Sequence, residues 1–62
     1  MTKQIQDVVI GDCIATPAGA RRVVRVRRGA ELVTLTSRPV GRVGAAVTHT
    51  WHDGALIRMA RG

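Results

Sequence analysis

Sixty-two residues suffice for one domain and leave no room for a second domain or a deep cleft, because a chain this short buries only about 60% of the surface it exposes when unfolded. With no Phe or Tyr and one Trp, the core has to come from Val, Ile, Leu, Ala and Met, and a lone Cys excludes an internal disulfide. Ten basic residues against four acidic ones, a formal charge of +6, suit nucleic acid, an acidic protein surface or anionic lipid, while no apolar run approaches the ~18 to 20 residues that span a bilayer.

The opening MTKQIQDVV lacks the apolar run of a secretion signal, so a reducing, cytoplasmic setting is expected. Residues 4 to 16 alternate imperfectly, with Ile5, Val8, Ile10, Cys13 and Ile14 as apolar anchors and Gly11-Asp12 as a bend, which predicts an irregular first strand. Thr16-Pro17-Ala18-Gly19 is a turn: Pro presets φ at the second position and Gly relieves strain at the end.

Arg21 to Thr36, RRVVRVRRGAELVTLT, is the most informative stretch. A two-residue turn at Gly29-Ala30 sets Arg28 opposite Glu31, Val26 opposite Val33, Arg25 opposite Thr34 and Val24 opposite Leu35. Val24, Val26, Val33 and Leu35 then share one face, and Arg25, Arg27, Thr34 and Thr36 share the other. The expectation is a one-sided β-ribbon with a cationic outer surface.

Pro39 and Gly41 argue against a central strand in Ser37 to Ala46 but permit a short edge strand around Val40 to Val43. In Thr48 to Met59, Asp53-Gly54 is a strong hairpin signal and would pair Trp51 with Leu56, Thr50 with Ile57, His49 with Arg58 and Thr48 with Met59. Seven glycines leave no clean window for a helix. The predicted fold class is all-β, one domain over residues 1–62, built as a small closed or nearly closed barrel of four to five short antiparallel strands.

The run VVIGDCIATPAGARRVVRV resembles the opening of SH3-like small barrels, where an apolar-Gly-Asp-apolar element leads into a Pro/Gly turn and a long second strand. WHDG is similar to the Trp-x-Asp-Gly hairpins of Tudor-like barrels, and the KOW type belongs to the same group. The resemblance implies an SH3-like barrel. An aromatic cage of the ligand-reading Tudor kind is missing, since Trp51 stands alone.

Five arginines fall within eight residues, at 21, 22, 25, 27 and 28. The codon bias of a GC-rich bacterial or phage genome inflates an arginine count but does not gather arginines in one place. On a rigid outward face guanidinium groups grip phosphates bidentately, and Thr34 and Thr36 hydroxyls donate to the same backbone. Arg42 and Arg58 extend this surface if the edge strand and the final hairpin lie alongside. The bland reading is a solvated face that keeps an edge from aggregating. Without aromatics among the arginines, binding is expected to be led by the backbone and weakly sequence-specific.

Trp51, opposite Leu56 in the predicted hairpin, is expected to be a largely buried core residue with its N–H at the rim; its other reading is a partner anchor. His49 and His52, three apart on a strand, point to opposite faces and chelate one ion poorly, so no metal is expected, and Cys13 reads as a small core residue. No GxGxxG or GxxxxGK loop occurs, and neither catalysis nor a cofactor is expected. The expected function is a small basic module that contacts nucleic-acid backbone through Arg21, Arg22, Arg25, Arg27 and Arg28. The alternative is a protein-interaction or assembly module, of bacterial or phage origin, docking on an acidic or apolar surface through a strand edge or Trp51, with homo-oligomers open.

Overall fold

A computed structural model describes residues 1–60 of the chain. Six antiparallel strands make up 58% of the described residues, with no α-helix. They are β1 (Thr2–Gln4), β2 (Cys13–Thr16), β3 (Gly19–Arg28), β4 (Leu32–Pro39), β5 (Val47–His52) and β6 (Leu56–Arg58), with a 3-10 turn at Ile5–Asp7. β2, β3, β4 and β5 follow one another across a four-stranded sheet that curls into a half-barrel, while β1 and β6 form a separate pair. The two sheets meet where Ile14 bridges Met59 and the Ala60 N–H donates to the Cys13 carbonyl.

The core is what this curl encloses: Ile5, Val8, Ile14, Val23, Val33, Leu35 and Ile57, with Val26, Trp51, Ala55 and Met59 packed against it. Ile5 and Val8 come from the 3-10 turn and its exit, so the expected irregular first strand is a short strand, a turn and a second strand. Of its expected anchors, Ile10 is instead exposed, and Cys13 is buried in register with Arg22 but outside the core cluster. The Thr16–Gly19 turn forms as expected. Ala18 N–H donates to the Thr16 hydroxyl, which donates to the Gly19 carbonyl, and Gly19 sits at φ +108°, which a side chain rarely adopts.

The β3–β4 hairpin differs from the expected one in two ways. Arg28 pairs with Val33, so four residues, Gly29 to Leu32 at the start of β4, lie between the last paired positions, closed by a 2.7 Å bond from the Gly29 N–H to the Leu32 carbonyl. A two-residue turn with Gly first needs a positive φ there, and Gly29 does not have one. The register consequently moves by two residues, Val26 now facing Leu35 and Arg27 facing Thr34, and a shift of two keeps every side chain on its predicted face.

The second difference is a β-bulge between Val23 and Arg25, where Val24 is the extra residue. Upstream of it the alternation changes phase. Val23 goes to the core, fully buried, while Val24, expected in the core, is exposed.

Residues 40–46 form a loop, with no edge strand at Val40 to Val43: Pro39 ends β4, and Gly41 turns the chain at φ +76°. Gly44 passes so close to Pro39 that an added Cβ would lie 2.6 Å from the ring. The Asp53-Gly54 turn forms, Ala55 N–H donating to the His52 carbonyl, yet the expected hairpin does not. β5 instead pairs with β4, and β6 crosses to β1, where Ile57 enters the core beside Ile5.

A candidate nucleic-acid interface

β3, β4 and β5 present a convex outer face whose rows are fixed by register. Arg25 stands beside Thr36 and Thr36 beside Thr48; Arg27 stands beside Thr34 and Thr34 beside Thr50. The threonine pairs are hydrogen-bonded hydroxyl to hydroxyl, both at 3.0 Å, which locks their rotamers. One row further along, beyond the bulge, Arg22 lies directly opposite Arg38. Like charges in that position are destabilising by roughly 0.2–1 kcal/mol.

None of these four guanidinium groups has an ion-pair or hydrogen-bond partner among the described residues; the one ion pair there joins Lys3 to Asp12 at 3.0 Å. The acidic residues lie elsewhere: Asp7 in the 3-10 turn, Asp12 in the bend before β2, Glu31 and Asp53 in loops. Among the described residues the face thus holds four free cations, four ordered hydroxyls and no carboxylate.

The remaining arginines are placed differently from the expectation. Arg21 is buried and does not belong to the surface: Nε donates to the Ser37 hydroxyl at 3.0 Å, and Nη2 donates to the Ser37 and Ala45 carbonyls at 3.0 and 3.2 Å. It pins the 40–46 loop to β4. Arg28 turns toward the 3-10 segment and donates to the Gln6 and Val8 carbonyls, with a shallow cleft of about 220 Å³ beside it. Arg42 donates to the Ala18 carbonyl at 2.7 Å and clips the β2–β3 turn. Arg58 is exposed on β6, in the other sheet. These four complete backbone hydrogen bonding or stand apart, and they do not extend the outer face.

Arg38, Thr48 and Thr50 join the face without having been expected there. The spacing of Thr34, Thr36 and Arg38, each two residues on, marked Arg38 as belonging to the same side of β4. Thr48 and Thr50 alternate in the same way with Val47, His49 and Trp51.

Trp51 pairs with Val33 rather than Leu56, on the inner face of β5, and is half-buried because, among the described residues, no strand covers β5 on its far side. Its ring meets His49 edge to face at 5.8 Å between centroids. His49 and His52 lie opposite Leu35 and Leu32 on different faces of the sheet, and among the described residues no three His, Cys, Asp or Glu side chains gather as a metal site would require. No helix among the described residues is long and apolar enough to cross a membrane. Comparison of the chain with protein-family models, curated proteins and solved structures returned no match.

Proposed function

We propose that this protein is a cytoplasmic binding module of SH3-like type that holds the phosphate backbone of nucleic acid on the outer face of β3–β5, and that it performs no catalysis. The observation that carries the reading is the cluster of Arg22, Arg25, Arg27 and Arg38, unpaired among the described residues and flanked by threonine hydroxyls on a face without carboxylates. Leaving Arg22 and Arg38 opposed costs stability that an anion between them would return. No Phe, Tyr or Trp shares this face, and its one ring is the His52 imidazole at the end of β5, apart from the arginines, so contact runs chiefly to phosphate, with little sequence preference.

Affinity for mixed-sequence duplex measured against salt tests the reading. Four phosphate contacts at about 0.9 each predict a log–log slope near −3.6, and Arg25→Ser with Arg27→Ser makes it shallower by about 2. Arg58→Ser, on the other sheet, leaves the slope unchanged. Binding that is absent at low salt, or indifferent to the double substitution, reduces the face to a solvated surface.

A further inference from the structure

We infer that the free edge of β5 is a self-pairing surface, on which a second copy of this chain adds its own β5 antiparallel across a two-fold axis at His49. Among the described residues, β5 has a strand neighbour on one side only. Its six residues, VTHTWH, include no Lys, Arg, Asp, Glu or Pro, and its register against β4 is unbroken by a bulge. These are the devices by which edges are ordinarily kept from pairing, and this edge has none of them.

The side chains select the occupant and the register. With His49 opposite the partner's His49, the inner face sets Val47 against the partner's Trp51, covering two apolar groups that are left partly exposed at this edge. On the outer face Thr48 meets the partner's Thr50, which continues the hydroxyl pairs already made between β4 and β5. Each row across the pair then reads Arg25, Thr36, Thr48 and, in the second copy, the equivalents of Thr50, Thr34 and Arg27. Centring the axis one residue later, on Thr50, would place Val47 against the carboxylate of the partner's Asp53, and centring it earlier shortens the ladder.

Charge does not oppose the pairing. The nearest arginines of one row stand five strand spacings apart, about 24 Å, which is some three Debye lengths at physiological salt. The inference is independent of what the arginines hold.

Sedimentation equilibrium of the full chain, from low micromolar to millimolar concentration, should show a monomer of 6.6 kDa passing reversibly to twice that mass. His49→Lys sets two cations face to face at the axis and should raise the dimer dissociation constant by at least about tenfold. In a Cys13→Ser background, His49→Cys should cross-link under mild oxidation, because facing Cα atoms lie about 4.5–5.5 Å apart. Thr50→Cys should not, its counterpart being two rungs away. A chain that stays monomeric throughout, a dimer indifferent to His49→Lys, or cross-linking through position 50 in place of 49 would overturn the inference.

Discussion

Arg21 and Arg22, adjacent in the chain, meet opposite environments because successive side chains leave a strand on opposite faces. Arg21 is enclosed and satisfied by neutral oxygens of Ser37 and Ala45, with no carboxylate. Removing it orphans those acceptors and unties the 40–46 loop, so Arg21→Ala should cost about 2 to 4 kcal/mol, read from the denaturant midpoint. Arg22→Ser should stay within about 0.5 kcal/mol of the parent and relieve Arg38. Equal losses from the two would contradict the assignment of one to the interior and one to the surface. Which arginines stay in water was only partly legible in the sequence. The alternation of Arg25 and Arg27 with Val26 was plain, but what separates Arg21 from Arg22 is a phase change that no residue type announces. Arg28 and Arg42 look like surface cations until the carbonyls they bind, distant in sequence, are brought near.

At the scale of elements, the bulge at Val24 is where the phase changes. With one valine removed, the strand would alternate without interruption: Arg21 inward, Arg22 outward, valine inward, Arg25 outward, Val26 inward. Deleting Val24 should therefore give a folded protein that has lost less than about 2 kcal/mol, an outcome unusual for a deletion inside a strand. A chain that fails to fold would mean that the sheet needs the bulge's extra twist to curl. The second element-scale test concerns Asp12, which links β1 to the bend before β2. It accepts the Val9 N–H and the Lys3 ammonium, both at 3.0 Å, and these bonds, the backbone one foremost, hold its carboxyl below the ordinary value of 3.8. A carboxyl lowered in the folded state stabilises fully above its unfolded value and loses that contribution as pH falls through its folded one. Asp12→Asn should thus unfold more readily than the parent near pH 6, and the gap between the two denaturant midpoints should narrow by about pH 3. The turns at Thr16–Gly19 and Asp53-Gly54 were legible because turn chemistry is local. The partners of β5 and β6 were not, since the choice between a neighbouring strand and a distant one is made by which pairing encloses Ile57.

For the whole molecule, a core of seven buried residues implies modest stability, and anything that binds only the folded form should register strongly. Mixed-sequence duplex at a hundred times its Kd adds about 2.7 kcal/mol, and a domain of this size gains roughly 4–8 °C per kcal/mol. The expected rise in Tm exceeds about 10 °C by calorimetry, and at the same duplex concentration it should shrink with Arg25→Ser and Arg27→Ser. A Tm that duplex leaves unmoved would argue against the proposed partner more directly than a weak binding curve, because it needs no label and no immobilised surface. The all-β class was legible from glycine frequency and strand alternation; the gap between β5 and β1 was not, because whether a curled sheet closes depends on its curvature.

The β1–β6 pair carries a consequence for how the chain is made. Thr2 faces Arg58, so the earliest of these six strands to be made waits for the last of them before it has a neighbour. The β2–β5 meander assembles from adjacent strands and can form as it emerges, but the cluster that holds Ile5 is incomplete until Ile57 arrives. Closure of that long loop is the costly step, and translation rather than hairpin formation sets when it occurs. During synthesis the nascent domain therefore carries a half-finished core, and the segment left waiting in that interval is the Thr2–Val8 stretch.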